Sequence, residues 1–259
     1  MNKRAHQILV KLLNFKITAR CIEYTKHRST LIFTLLLFVG IPLQAASVVA
    51  AESIDNRNLD NVTNRYTPNQ QVIKTLVVIG DSLSAGYGIA KKEGWVEILK
   101  KRLSSSYYHI EVVNASVSGE TTFGGLTRAP ELLQKHDPQV VIIELGGNDG
   151  LQGLRMSSME QNLDKLVVLL LKRGIRVLLV GMKLPPNYGQ FYTKTFEDIY
   201  QNLAKKYSIE FVPFMLKNIA ANPDKMQADG IHPRANAQKE ILTNLWPHLR
   251  KLLPKPRMK

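Results

Sequence analysis

The chain has 259 residues, of which 44% are hydrophobic and 22% charged, and its formal net charge is +14. This composition is ordinary for a globular protein of one domain, and the absence of repeats or biased tracts excludes repeat arrays and low-complexity chains. Seven basic residues and one acid lie in the first 51 positions, which leaves +8 for the remainder. That excess is scattered in short pairs rather than in a long basic run, so it does not indicate nucleic-acid binding.

The first predicted element is a targeting segment at the N-terminus. The segment of residues 1–30 has an excess of basic residues. The apolar run LIFTLLLFVGIPL extends from Leu31 to Leu43, and small residues follow in QAASVVAAES. A basic region, an apolar region and a site of small residues in this order are typical of a secretory signal peptide. We place its cleavage near Ala46 or near the Ala50-Ala51 pair, and we assign residues 1–51 to the signal.

An uncleaved membrane anchor is the alternative for the same segment. The stretch from Leu31 to Ala51 is mostly apolar and approaches the ~20 residues that a membrane-spanning helix needs. Cleavage predicts an exported protein, periplasmic or secreted, whereas the alternative predicts a protein anchored in the membrane. The only cysteine, Cys21, leaves with a cleaved signal. The exported domain then has no disulfide and depends on its hydrophobic core.

The working domain is predicted at residues 71–259, after a polar, Asn-rich segment at residues 52–70 that we expect to be a flexible lead-in. Short β-branched runs alternate with longer amphipathic segments. The five predicted strands read TLVVIG, IEVVNA, VVIIEL, IRVLLVGM and IEFVPFM. This alternation predicts an α/β fold with a parallel sheet between two layers of helices. Such sheets bind their ligands beyond the carboxyl ends of the strands.

Polar residues follow the predicted strands, where a site is expected. The loops read GDSLS, NASVSG, GGND and KLPPNYG, and DGIHP precedes the last helix. The i, i+3 spacing of Asp229 and His232 lets the carboxylate hold one imidazole nitrogen while the other faces outward as a base. A serine nucleophile needs such a base, and Ser82 in GDSLS is the candidate. Pro233 is predicted to lie in the first turn of the closing helix.

Acyl transfer also requires hydrogen-bond donors directed at an oxyanion. The backbone N–H groups of Ser82 and Gly119 and the side-chain amide of Asn148 are the candidates, from three adjacent strand ends. Each of these residues also fits an ordinary turn. The chain contains no G-x-S-x-G motif, no phosphate-binding glycine loop and no histidine or cysteine cluster at metal-ligand spacing. No metal is therefore expected.

The ordered set GDSLSAGYG, NASVSGETT, GGND and DGIHP resembles the four sequence blocks of the SGNH (GDSL) hydrolases, and it spans nearly all of the predicted domain. This resemblance implies a flavodoxin-like, three-layer α/β/α fold with five parallel strands. It implies a serine hydrolase without a cofactor, in which Ser82 is the nucleophile, His232 the base and Asp229 the residue that orients the base. It also implies an oxyanion hole formed by Ser82, Gly119 and Asn148.

The resemblance further implies substrates in which an acyl chain is joined through an ester or thioester bond, lysophospholipids among them. The wall of an acyl groove is assigned to five residues: Leu151, Leu154, Leu184, Pro185 and Tyr188. Two alternatives stay open, a short-chain or carbohydrate acetylesterase with the same three residues and a non-catalytic lipid-binding domain. As partners we expect a lipid or small ester and no nucleic acid, with the protein a monomer and a weak attraction to anionic membranes left open.

Overall fold

A computed structural model describes residues 73–104 and 109–254 of the chain, and all of them belong to one compact unit. The predicted signal at residues 1–51, with its anchor alternative, and the predicted lead-in at residues 52–70 lie outside the described residues and stay predictions. Among the residues that are described, no helix is both long and apolar enough to cross a membrane.

The described part of the chain forms one parallel sheet of five strands in the order β2-β1-β3-β4-β5. The strands are β1 (Thr75–Gly80), β2 (Glu111–Asn114), β3 (Val140–Glu144), β4 (Arg176–Val180) and β5 (Glu210–Val212). Every residue of β3 is buried, because helices cover both faces of the sheet and leave no solvent-facing side. The predicted α/β fold with five parallel strands is confirmed.

Seven helices connect and follow these strands within the described ranges. They are α1 (Ser82–Ala85), α2 (Trp95–Ser104), α3 (Thr122–His136), α4 (Gly147–Leu151), α5 (Met156–Lys172), α6 (Gln190–Tyr207) and α7 (Gln238–Leu252). Helices α2 and α7 pack against each other in one layer, and α3, α5 and α6 pack in the other. Two layers are expected from this strand order, because β2 and β3 lie on opposite sides of β1 and crossovers between parallel strands follow one hand.

The register between β1 and β3 determines where the first and third loops meet. Leu76 pairs with Val140, and Gly80 at the end of β1 pairs with Glu144 at the end of β3. The loop after β2 also lies beside β1, since the N–H of Val117 in that loop donates to the carbonyl of Gly80 at 3.0 Å. Three loops that the sequence marks as polar therefore begin next to one another.

The segment before the last helix differs from the sequence prediction. Pro233 does not open a helix, because it forms an antiparallel bridge with Met226, and α7 begins only at Gln238. The N–H of Gln227 donates to the carbonyl of His232 at 2.8 Å in this bridge. The bridge, rather than a helix terminus, therefore holds the backbone of His232.

The core residue Trp95, at the start of helix α2, provides a test of how much a buried indole contributes to stability. Its side chain is fully buried, and its indole N–H has no hydrogen-bond partner among the described residues. We expect Trp95→Ala to lower the free energy of unfolding by about 3–5 kcal/mol, because it leaves a large cavity. Trp95→Phe should cost only about 1–2 kcal/mol, since the ring still fills much of the space and the unpaired N–H is gone. Urea unfolding measures both, and equal losses would contradict this account.

Candidate active site

The turn after β1 places Ser82 at the start of the short helix α1. Asp81 caps this helix, and its Oδ1 accepts a hydrogen bond from the N–H of Leu83 at 3.0 Å. The preceding Gly80 has no room for a side chain, because a Cβ there would lie 2.8 Å from Oε2 of Glu144 and 2.9 Å from Oγ of Ser116. Glycine is therefore needed for the strand to pass so close to the neighbouring loops.

The structure brings Ser82, His232 and Asp229 together in one hydrogen-bonded row. Oγ of Ser82 lies 2.8 Å from Nε2 of His232, and Nδ1 of the same ring lies 2.7 Å from Oδ2 of Asp229. The other carboxylate oxygen, Oδ1, accepts from the backbone N–H groups of Ile231 and His232 at 2.9 and 3.0 Å. The i, i+3 turn thus directs one imidazole nitrogen to the carboxylate and the other to the serine.

The environment of Asp229 favours its charged form. Desolvation by burial opposes ionisation, but hydrogen bonds from the His232 backbone, from its imidazole and from the Ile231 N–H outweigh that effect. The pKa of the Asp229 carboxyl is lowered from 3.8 to about 2. A carboxylate that is ionised at neutral pH can stabilise an imidazolium as it forms beside it.

An aromatic contact holds the imidazole from the side. The rings of Tyr87 and His232 are tilted by 38° with their centroids 4.4 Å apart. The amide of Gln227 donates to the carbonyl of Tyr87 at 2.8 Å and so joins this loop to the bridge beneath His232. Sequence reasoning did not single out Tyr87, although it lies within the quoted stretch GDSLSAGYG.

Two of the predicted oxyanion donors are unpaired. The backbone N–H groups of Ser82 and Gly119 have no acceptor among the described residues. The N–H of Ser82 is unpaired because Ser82 is the first residue of α1, and the first N–H groups of a helix have no acceptor within it. Gly119 has a φ of +81°, which favours glycine, and a Cβ built there would meet no atom within 4 Å. The space beside Gly119 is therefore open to a bound molecule.

The third predicted donor, Asn148, is already engaged. Its Nδ2 donates to Oδ2 of Asp81 at 3.1 Å and to the backbone carbonyl of Glu120 at 2.9 Å. These bonds occupy both amide hydrogens and connect the residue before Ser82 to the residue after Gly119. Asn148 thus ties the first two loops together, and it can donate to a bound oxyanion only by sharing or exchanging one of these bonds.

A buried carboxyl pair lies directly beneath the nucleophile turn. Oε2 of Glu144 accepts from the hydroxyl of Ser84 at 2.5 Å and from the N–H of Asp81 at 3.3 Å, while Oε1 has no partner among the described residues. Burial, and then the charge of Asp81, raise the pKa of Glu144 well above its usual value. Burial likewise raises the pKa of Asp81 from 3.8 to about 6. Burial therefore favours the protonated form of Glu144.

Neither Glu144 nor Ser84 was identified from the sequence. The signal was present, since Glu144 is a charged residue that ends the otherwise apolar run VVIIE. Asp149 is a third buried carboxyl group of this region, and it accepts from the N–H and the hydroxyl of Thr122 at 2.8 and 2.5 Å. These contacts join the GGND loop to the start of α3.

The five residues assigned to an acyl groove occupy different environments. Leu154 and Tyr188 are exposed, at 41% and 36% of their surface, and Leu151 and Pro185 are half-buried. The hydroxyl of Tyr188 donates to the carbonyl of Leu151 at 2.9 Å, so these two loops meet. Leu184 is buried in the core, where its side chain and that of Phe196 leave no room for a Cβ on Gly150. Leu154 and Tyr188 therefore offer the surface that a chain could cover.

The carboxyl pair predicts how stability depends on pH. Both raised pKa values mean that these two groups lose their protons at lower pH in the unfolded chain than in the folded protein, so their contribution to the free energy of unfolding should fall as pH rises from about 4 to about 6. Each extra proton bound by the folded state contributes up to about 1.4 kcal/mol per pH unit. Glu144→Gln should make this decline shallower in urea unfolding experiments. Glu111→Gln, at an exposed glutamate, is the control, and equal slopes in the wild type and Glu144→Gln would contradict the assignment.

Comparisons with known proteins agree with this geometry. The model of the GDSL-like lipase/acylhydrolase family matches residues 78–239. Esterase TesA of Pseudomonas aeruginosa is 46% identical over 184 residues, which cover 71% of this chain and 92% of the relative. The thioesterase 1/protease 1/lysophospholipase L1 of Escherichia coli K12 is 42% identical over 164 residues, 63% of this chain and 77% of the relative.

Solved structures give the same result. The crystal structure of TesA superposes with a TM-score of 0.68 at 46% identity and covers 70% of this chain and 100% of that one. The psychrotrophic esterase EstA from Pseudoalteromonas, inhibited by monoethylphosphonate, gives a TM-score of 0.66 at 36% identity, over 69% and 97% of the two chains. The resemblance seen in the sequence blocks is thereby confirmed. The chain belongs to the GDSL-like lipase/acylhydrolase family, and it is an enzyme that hydrolyses ester bonds.

Proposed function

We propose that this esterase works through a catalytic triad of Ser82, His232 and Asp229 with a covalent acyl-enzyme. The observation that carries the proposal is the hydrogen-bonded row in which Nε2 of His232 lies 2.8 Å from the serine hydroxyl and Nδ1 lies 2.7 Å from the carboxylate. A nucleophile, its base and the group that orients the base are all within hydrogen-bond reach, which is the arrangement that acyl transfer by serine requires.

In the acylation step, His232 takes the hydroxyl proton as Oγ of Ser82 forms a bond to the ester carbonyl carbon. The carbonyl oxygen becomes an oxyanion, and the imidazolium is stabilised by the ionised Asp229. The intermediate then collapses, the bond to the leaving alcohol or thiol breaks, and His232 gives the proton to that group. Water repeats the sequence on the acyl-enzyme, with His232 again as the base, and releases the carboxylic acid and free Ser82.

The oxyanion is proposed to lie against the N–H groups of Ser82 and Gly119. Both are unpaired among the described residues, and the space beside Gly119 is open. Asn148 contributes the third donor by exchanging its bond to the Glu120 carbonyl for one to the oxyanion, while its bond to Asp81 persists. The N–H groups of Ser82 and Gly119 are in place before the reaction, so these two donors need no reorganisation as the charge develops.

The substrate is proposed to be an acyl ester with a hydrocarbon chain, lysophospholipids included. Relatives bear the names esterase, arylesterase and thioesterase 1/protease 1/lysophospholipase L1. These names describe the transfer of an acyl group from several different leaving groups. The exposed apolar side chains of Leu154 and Tyr188, on two loops that meet, support a surface along which such a chain can lie.

We further propose that the domain works outside the cytoplasmic membrane. Export is supported by the order of three segments: a basic segment at residues 1–30, the apolar run from Leu31 to Leu43, and the small residues after it. Acyl-coenzyme A is a cytosolic compound, so an exported enzyme would meet lysophospholipids or other lipid esters instead.

Removal of the nucleophile tests the triad. Ser82→Ala should lower kcat on p-nitrophenyl esters by at least about 10³-fold and abolish labelling by a fluorophosphonate, since only an activated serine reacts with that reagent. Ser118→Ala is the matched control, because this serine is exposed in a neighbouring loop and no base is assigned to it. Labelling that persists in folded Ser82→Ala, or that disappears in Ser118→Ala, would contradict the assignment of the nucleophile.

Leu154 tests the proposed acyl surface. We expect Leu154→Ala to lower kcat/KM about three- to tenfold on a long-chain p-nitrophenyl ester, because a chain covering this side chain loses part of its apolar contact. The rate on p-nitrophenyl acetate should change less than about twofold, and Leu154→Met should retain the long-chain rate. An equal loss on both esters would argue against contact with the chain. A wild-type preference for acetate would favour the short-chain or carbohydrate acetylesterase.

A further inference from the structure

Basic side chains are concentrated at the ends of the five long helices. Helices α2, α3, α5, α6 and α7 each end in two adjacent basic residues, counting the residue that caps α5. The pairs are Lys101 and Arg102, Lys135 and His136, Lys172 and Arg173, Lys205 and Lys206, and Arg250 and Lys251. We name the surface formed by these ten residues the basic edge.

The direction of the helices brings the five pairs to one side of the molecule. In a parallel sheet joined by helical crossovers, each helix runs opposite to the strands and ends beside the start of the next strand. The last helix ends there too, since the guanidinium of Arg176 at the start of β4 donates to the carbonyl of Leu252 at 2.7 Å. The basic edge therefore lies along the starts of the strands, opposite to Ser82.

Much of this charge is not neutralised by neighbouring carboxylates. Lys206 pairs with Asp164, and Lys251 pairs with Glu210. In contrast, four exposed residues have no carboxylate within ion-pair distance among the described residues: Lys135, Lys172, Arg173 and Lys205. They come from three helices of one layer, so unpaired positive charge is concentrated on this side of the edge, although Asp137 is an exposed carboxyl at the end of α3.

Compensation of helix dipoles does not account for the pattern. Basic residues at helix ends are favourable, but acids at helix starts are favourable for the same reason. Helices α3, α5 and α6 have no acid in their first turns, although all three have basic last turns. In these three helices the positive charge is thus not balanced by an acid at the other end, whereas α2 and α7 have Glu97 and Glu240 in their first turns.

The opposite edge has a different chemical character. The exposed large hydrophobic side chains of the described residues all lie on the side that carries Ser82, in loops after the strands, at the first turns of helices or beside His232. They are Tyr87, Val117, Phe123, Leu154, Tyr188, Phe191 and Ile231. The molecule therefore presents an apolar edge around the nucleophile and a basic edge away from it.

We infer that the basic edge binds the surface of an anionic phospholipid bilayer and turns the edge that carries Ser82 away from it. The charges come from both helical layers along the whole sheet, which suits an extended flat surface better than a small ligand in a pocket. Ile73, the first described residue, lies at the same edge, since β1 begins at Thr75. Clustered basic residues and the anionic headgroups of a bilayer surface attract each other.

Charge removal on the full chain tests the inference. The edge variant is Lys135→Gln, Lys172→Gln, Arg173→Gln and Lys205→Gln combined. The control variant removes four exposed charges elsewhere, by Lys91→Gln, Lys92→Gln, Lys217→Gln and Lys239→Gln. Co-sedimentation is measured with vesicles of phosphatidylcholine alone and of phosphatidylcholine with phosphatidylglycerol. Both variants keep residues 1–72, so any binding through that segment is common to them.

We expect the edge variant to lose more than about tenfold in partitioning onto the phosphatidylglycerol vesicles, and the control variant less than about threefold. Neither should change binding to pure phosphatidylcholine, and both should hydrolyse p-nitrophenyl acetate at the wild-type rate, which shows that they are folded. Equal losses in the two variants would overturn the inference in favour of net charge alone. Tighter binding to duplex DNA than to the vesicles, lost in the edge variant, would overturn it in favour of a nucleic acid.

A second measurement tests the orientation. With Cys21→Ser as background, an environment-sensitive fluorophore is attached through Gln134→Cys near the end of α3 or through Asn187→Cys beside Tyr188, both at exposed positions. Phosphatidylglycerol vesicles should shift the emission of the Gln134→Cys conjugate and leave that of the Asn187→Cys conjugate unchanged. A shift confined to the Asn187→Cys conjugate would mean that the edge around Ser82 binds the bilayer, and it would overturn the inference.

Discussion

The close contact between the ends of β1 and β3 is the constraint on which the site depends. Gly80 and Glu144 are register partners, and the missing side chain of Gly80 leaves space that Oε2 of Glu144 and the hydroxyl of Ser116 fill. The buried carboxyl of Glu144 then accepts hydrogen bonds from Asp81 and Ser84, on either side of Ser82. Because a buried polar group without partners is costly, these bonds restrict the nucleophile turn to one conformation. Asp81 extends the restriction to Asn148 and so to the loop that carries Gly119.

Strand direction explains the division of the molecule into two edges. Five parallel strands deliver their following loops to one edge, where Ser82, Gly119, Asn148 and the exposed apolar side chains lie. The same topology sends the ends of the long helices, with their basic pairs, to the other edge. The hydrolytic site and the proposed membrane-binding surface therefore lie at opposite ends of the strands. The parallel direction of the strands is enough to separate them.

Much of the fold and of the site could be predicted from the sequence, because local patterns encode them. The apolar run in VVIIE predicts a strand buried on both faces, and the order of the four blocks predicts which residues meet. Pro233 shows where local reasoning fails: it suits a helix start, but its bridge with Met226 wins because that pairing gives the segment backbone hydrogen bonds. Leu184 was assigned to a groove from its loop, yet it is buried in the core, where it and Phe196 lie against Gly150 of a different loop.

The sequence by itself determined the α/β class, the parallel sheet and the identity of the candidate nucleophile, base and orienting carboxylate. The class and the sheet follow from periodicity. The three site residues follow from the resemblance of the four sequence blocks to a known family, together with the i, i+3 spacing of Asp229 and His232. Only the tertiary structure decided that Glu144 lies beneath Ser82, that Tyr87 packs on the imidazole and that the amide of Asn148 is already occupied. Each of these contacts joins loops that are far apart in the chain. Their geometry depends on strand register and on close packing, which no local pattern of residues specifies.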